Sequence, residues 1–184
     1  MTVKLVHDTR YPNGDRHQRF DIGVDGLINS ESVIEWIARK PTPVQEVYAS
    51  WENSKRAGFV RESDFKLGCY EGVSTCLIDV TPDDPAEFRY IGANLQYVRQ
   101  LAGTVVGDHP IEGIRDDLMY EYLMCKLYNR PLGYRIRHSF GGFRRDYLRL
   151  LLPLCDRRGN VTSLACISRH LAVPAGSLQA IRNG

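Results

Sequence analysis

The feature that most constrains this chain is a pair of glycines. Gly141-Gly142 separates "LGYRIRHSF" (132–140) from "FRRDYLRLLLPL" (143–154). A two-residue glycine loop between two extended runs closes an antiparallel hairpin, because glycine adopts the positive φ that tight hairpin turns require. The implied register sets Phe140 opposite Phe143 and Arg137 opposite Asp146, both favourable cross-strand pairs. Tyr134, Ile136, His138, Tyr147 and Arg149 then share one sheet face, and Arg135, Arg137, Asp146, Leu148, Leu150 and Leu152 share the other. Neither face is wholly apolar, so each is expected to be half covered.

A second hairpin precedes this one. "TCLIDV" (75–80) is a short apolar strand, "TPDDP" is a turn, and "EFRYIG" is the next strand. Asp83 and Asp84 beside Pro85 are ordinary turn chemistry. "ANLQYVRQLAG" then reads as a short helix. Gly92 is expected to end the strand before it, Gly103 to cap the helix and Gly107 to shape the following loop. "GIRDDLMYEYLMCKLYNRP" reads as a longer helix whose stripe is Ile114, Leu118, Tyr122 and Cys125. Its Asp116 and Asp117 are assigned to an acidic first turn that suits the positive end of the helix dipole, and Pro131 ends it. After the glycine hairpin, "DRRGN" turns into a last strand, "VTSLACISR". Two strands, a helical crossover and three antiparallel strands describe an α+β domain, a five-stranded antiparallel sheet with its helices on one face.

The N-terminal part is helical before it reaches that domain. Ser32 to Glu35 fits a capping box, followed by Val33, Trp36, Ile37 and Lys40 at helical spacing. Thr42-Pro43-Val44-Gln45 restarts a helix, with Thr as N-cap and Pro at the first position. Val44, Val47, Tyr48 and Trp51 form its apolar stripe, which covers either the outer sheet face or a second subunit. Residues 1–30 are polar; "VKLV" and "RFDIGV" either pair as a hairpin around "YPNGD" or belong to a tail. The division is therefore a polar segment 1–30, lead-in helices 31–58, the domain 59–172 and a tail 173–184.

Several function classes fall away. The net charge of +2 comes with scattered basic residues, unlike the concentrated basic face of a nucleic-acid binder. There is no apolar run long enough to span a membrane and no signal-peptide core at the N-terminus, so the expected location is the cytoplasm. No GxSxG, HExxH or P-loop occurs, and the glycines from 92 to 107 lack a dinucleotide-binding spacing. The five cysteines show no CxxC and no zinc spacing, so no metal is expected and free buried thiols are. Cys155 and Cys166 flank a turn but count out of register.

"VYASWENSKRAG" (47–58), "CLIDVTPDDPAEFRYIGANL" (76–95), "AGTVVGDHPIEGI" (102–114) and "YLRLLLPLCDRRGNVTSLACI" (147–167) together resemble a PAS domain, and within it the PAS_5 family common in alphaproteobacteria. The resemblance spans about residues 44–170 through the order and spacing of these segments. "FVRESDFKLG" departs from it, keeping Arg61 but not the family's neighbouring prolines. The resemblance implies a stand-alone sensory or adaptor module in signal transduction, not an enzyme. It implies a cavity between sheet and short helices, with no cofactor identified. It also implies a homodimer and a signalling partner, such as a histidine kinase or a cyclic-di-nucleotide pathway protein. Tyr90, Tyr97, Tyr122, Tyr134 and His138 are the pocket candidates, and Trp36, Val44, Tyr48 and Trp51 the dimer or partner surface. His109 is expected at the surface and Cys125 in the core. The alternative is a small enzyme using the same cavity, with His138 or a tyrosine as acid–base group.

Overall fold

The structure, a computed structural model, describes residues 4–12, 14–25, 42–68, 73–93, 101–140 and 143–171. The expected helix containing Trp36, the segment around Tyr97 and the tail lie outside these residues. Seven strands form the sheet: β1 (Lys4–Arg10), β2 (Arg16–Asp21), β3 (Val73–Asp79), β4 (Arg89–Ala93), β5 (Leu132–Phe140), β6 (Phe143–Cys155) and β7 (Val161–His170). Their order is β1-β2-β5-β6-β7-β3-β4, and every neighbouring pair is antiparallel. Among the described residues two α-helices accompany them, α1 (Pro43–Asn53) and α2 (Glu112–Tyr128).

The glycine hairpin has the register its sequence implies, from Phe140↔Phe143 through Arg137↔Asp146 to Leu132↔Leu151. Asp146 takes a bidentate bond from Arg135 at 2.9 and 2.7 Å and a further one from Arg137 at 3.0 Å. The count of five strands is corrected to seven. The first hairpin does form, and β2 pairs along β5 from Arg16↔Ser139 to Asp21↔Tyr134. Without it, the long β5 would present a row of unpaired backbone groups at a sheet edge. Arg16 grips Asp8 across the hairpin at 2.8 and 2.6 Å.

Of its two expected places, the outer sheet face or a second subunit, the stripe of the lead-in helix α1 takes the outer sheet face. Inward residues alternate with outward ones along each strand, and α1 and α2 cover opposite sides. On the outer side Val44, Val47 and Trp51 of α1 meet Leu148, Leu150, Leu152, Ala165 and Ile167. The α1 helix opens on the expected capping box, Gln45 N donating to Thr42 Oγ1 at 3.3 Å and Thr42 N to Gln45 Oε1 at 2.9 Å. The Trp51 indole donates to the Pro153 carbonyl at 3.0 Å. Val44 and Trp51 are thus buried within the chain, which removes them from a free dimer surface. Tyr48, half-buried, stacks on Trp51 and donates to Glu52.

On the inner side, Ile114, Leu118, Tyr122 and Cys125 of α2 face the sheet as their spacing predicts. The helix begins earlier than expected, at Glu112, which moves Asp117 out of the first turn. It ends on Asn129 in the left-handed region, φ 47°, a conformation asparagine tolerates. Gly92 lies within β4 instead of ending it. Gly107 is required by a close approach: a Cβ there would sit 2.7 Å from the Ala86 carbonyl oxygen.

The α1–sheet contact is anchored by one large side chain. Trp51→Ala is expected to cost about 3–5 kcal/mol, read as a lower urea midpoint with an unchanged slope.

Candidate functional site

Two adjoining features occupy the space between α2 and the inner sheet face: a buried charge network and a cavity. The network starts from α2. Asp117 and Glu121 are four residues apart, so they project from one side of the helix, here toward the sheet. Asp117 Oδ2 meets His17 Nε2 at 2.5 Å, and Oδ1 meets both His7 Nδ1 and Arg19 Nη1, the latter at 2.9 Å. Glu121 takes a bond from Arg149 Nη1 at 2.5 Å and lies 3.8 Å from Arg19. Arg149 also donates to the Tyr147 hydroxyl at 2.9 Å. Glu121 is fully buried, and Asp117, His17, Arg19 and Arg149 nearly so.

Burial alone would raise the Asp117 carboxyl, but bonds to His17 and His7 and the Arg19 cation hold it below the usual carboxylate range. Burial does raise Glu121, against the pull of Arg149 and Arg19. Removing one partner from such a buried set leaves an uncompensated charge.

The cavity, about 350 Å³, lies beside this network. Its helix side is Leu101, His109, Ile111, Ile114, Leu118 and Tyr122, and its sheet side comes from β3, β4, β5, β6 and β7. Three histidines line it: His109, His138 and His170. Burial lowers all three, and His138, which also feels His17, Arg145 and Arg149, falls to about 4. They are neutral imidazoles at neutral pH, each offering one donor and one acceptor. The exposed Arg145 stands at the cavity wall, adding a cation.

Rings link the two features across five neighbouring strands. His7 lies edge-on to His17 at 6.0 Å, His17 stacks on His138 at 6.0 Å, His138 meets Tyr147 at 5.6 Å, and Tyr147 meets His170 at 5.6 Å. Cross-strand ring pairs of this kind stabilise a sheet directly.

Of the predicted pocket residues, Tyr90, Tyr122 and His138 line the cavity. Tyr90 and Tyr122 approach edge-on with hydroxyls 3.4 Å apart. Tyr134 is buried outside the cavity lining, near the Arg19 guanidinium, and Tyr97 lies outside the described residues. His109 corrects its expectation: it is half-buried in the cavity wall, where its Nδ1 accepts from Ile111 N at 3.2 Å. Cys125 is the expected core thiol, donating to the Arg130 carbonyl and pushed up by burial.

Sequence reasoning missed His7, His17, Arg19, Asp117, Glu121, Arg145 and His170. The available signals were the alternation of His17 and Arg19 in β2 and the four-residue spacing of Asp117 and Glu121 on the apolar side of α2. Among the described residues no His, Cys, Asp or Glu cluster could hold a metal ion, and no helix is long and apolar enough to cross a membrane.

Among solved structures, the chain is similar to the PAS domain of BvgS from Bordetella pertussis, at 13% identity over 61% of this chain and 87% of that one, with a TM-score of 0.44. It is also similar to an RNA-binding light-oxygen-voltage receptor, at 18% identity over 60% of this chain and 34% of that one, with a TM-score of 0.36. No family model matches the chain, and no curated protein matches it.

Two outcomes follow from the electrostatics. Asp117→Ala is expected to cost about 3 kcal/mol or more, the usual loss when a buried ion pair loses one member, with faster amide exchange in β1 and β2. The neutral histidines set a pH dependence. His138 is lowered from 6.5 to about 4, so across that window the unfolded chain binds more protons than the folded one. Its contribution is present above pH 6.5 and lost as pH falls toward 4. Urea midpoints measured across this range are expected to fall with pH, less steeply in His138→Asn.

Proposed function

We propose that this chain is a PAS-type sensory and interaction module of a signalling pathway, taking a small molecule into the cavity between α2 and the sheet. The cavity itself carries the reading. It is large enough for a small organic ligand and joins an apolar helix side to a sheet side with neutral imidazoles, tyrosine hydroxyls and an arginine. Few convergent polar groups on an apolar wall is the usual make-up of a ligand site. The antiparallel sheet, with the β3–β4 hairpin beside the last strand β7, supports the same reading, which also rests on the sequence resemblance.

The route from ligand to partner runs through β6. Tyr147 and Arg149 face the cavity, while Leu148, Leu150 and Leu152 lie beneath α1. A ligand that shifts the first set moves the second, because close-packed interiors transmit displacement. The proposed output is a change in how α1 sits on the outer face. With Val44 and Trp51 covered by the sheet, Tyr48 is what remains of the predicted contact stripe for a homodimer or partner. The proposed partner is a signalling protein such as a histidine kinase or a cyclic-di-nucleotide pathway component, and the proposed location is the cytoplasm.

Native mass spectrometry of protein purified from its own host tests this. A mass excess lost on denaturation is the expected result, and the released compound should bind at least about tenfold more weakly to Leu101→Trp, which fills the cavity. A bare protein mass at every preparation, with no compound slowing exchange in α1, would sink the ligand reading.

A further inference from the structure

The β3–β7 register places two cysteines directly opposite each other. Cys76 pairs with Cys166, whereas Cys155, out of register with Cys166 as the sequence implies, pairs with Val161. Cys76 and Cys166 share the inner sheet face and both line the cavity. Directly opposed residues of antiparallel strands have Cα atoms about 4.5 or 5.5 Å apart, depending on the pair type. Disulfides span Cα separations of about 4.4–6.8 Å, so both pair types fall within reach without strand movement. Both thiols are free and buried from bulk solvent, and the cavity is the space they share.

We propose that Cys76 and Cys166 form an oxidisable dithiol in the cavity wall, closed to a disulfide by a small hydroperoxide that enters the cavity. This inference stands on strand register and on the shared wall, and holds whether or not an organic ligand binds there.

The surroundings distinguish the two sulfurs. Cys166 is lowered by the thiol of Cys76, with the Arg149 cation and Ser168 helping, while Cys76 is raised well above its ordinary value by that same bond and by burial. Cys166, with the Ser168 hydroxyl 4.0 Å from its sulfur and Arg149 in the same cavity wall, is assigned the attacking role. Its sulfur forms a bond to one peroxide oxygen, the O–O bond breaks, and the departing hydroxide takes a proton to leave as water. The resulting sulfenic acid on Cys166 is then attacked by the Cys76 sulfur. The S–S bond forms, the S–O bond breaks, and the second oxygen leaves as water with the remaining proton. With hydrogen peroxide, two thiols and one peroxide become one disulfide and two waters: the sulfurs are oxidised and the peroxide is reduced. A thiol reductant reverses the change by exchange. The disulfide ties β3 to β7 and alters the cavity's sheet wall.

The test uses the full chain. Reduced protein is treated with hydrogen peroxide, excess oxidant is removed, and remaining thiols are alkylated before intact-mass and peptide analysis. The expected result is loss of about 2 Da, the two hydrogens given up in a disulfide, mapped to one cross-linked pair of peptides carrying Cys76 and Cys166 and reversed by dithiothreitol. Cys125→Ser and Cys155→Ser should still form it; Cys76→Ser should instead stop at a sulfenic acid on Cys166 that dimedone traps. The wild-type peptide map decides the matter even where a variant does not fold. Both cysteines fully alkylatable after peroxide treatment, a bridge mapped to any other pair, or stepwise oxygen addition without a bridge would each overturn the proposal.

Discussion

Asp117 and Glu121 fix where α2 sits. Two apolar faces slide over one another at modest cost, but a buried carboxylate displaced from its cations is left bare, at several kcal/mol. Asp117 is held from β1 by His7 and from β2 by His17 and Arg19, and Glu121 is held from β6 by Arg149. The helix is thereby pinned to β1 and β2 at one edge of the sheet and to the central strand β6. Its remaining inward residues, Ile114, Leu118 and Tyr122, reach over β3, β6 and β7, and the cavity lies beneath them. The N-terminal hairpin accordingly does more than cover the β5 edge, since it supplies His7, His17 and Arg19, the partners that hold the helix above the cavity.

The central strand β6 carries a different kind of constraint. It runs thirteen residues, Phe143–Cys155, and its two faces serve two separate cores. Leu148, Leu150, Leu152 and Leu154 belong to the core under α1, and Tyr147 and Leu151 to the core under α2. A one-residue slip would exchange these sets, putting leucines into the ion network and Arg149 beneath Trp51. The Arg135–Asp146–Arg137 cluster on the hairpin guards against that slip at the exposed end of the pair. Pro153 removes one ladder donor from a central strand, and its carbonyl accepts the Trp51 indole bond from α1.

Short-range patterns were legible in the sequence. The Gly141-Gly142 hairpin has the expected register, the Thr42 capping box is present, and the stripe Ile114, Leu118, Tyr122, Cys125 is buried. What failed depended on contacts between distant segments. The pairing of β2 with β5 joins residues over a hundred positions apart, and the polar composition of the first strands gave no sign of it because their inward residues are His7, His17 and Arg19. Those side chains are buried only because Asp117 and Glu121 meet them. Each half looked like surface when read alone. Likewise, Asp117 reads from sequence as a dipole cap in the first turn, whereas the helix begins at Glu112 and Asp117 turns inward to His17 and Arg19.

The same dependence explains why the cavity candidates were only partly found. Tyr90, Tyr122 and His138 were legible because they alternate on strands or follow a helical stripe. His109 was not, since its position follows from the loop's close approach to the 85–87 segment at Gly107. The cavity persists between these elements because its wall does not suit collapse. Imidazoles held neutral by burial, Ser74, Ser168 and the Tyr90–Tyr122 hydroxyl pair line it, and burying polar groups against an apolar filling is costly. A space of this polarity retains water or a ligand with matching donors and acceptors. Arg149 and the exposed Arg145 bring positive charge to the cavity wall beside imidazoles that burial keeps neutral, so a molecule bound there meets neutral hydrogen-bonding groups and two cations.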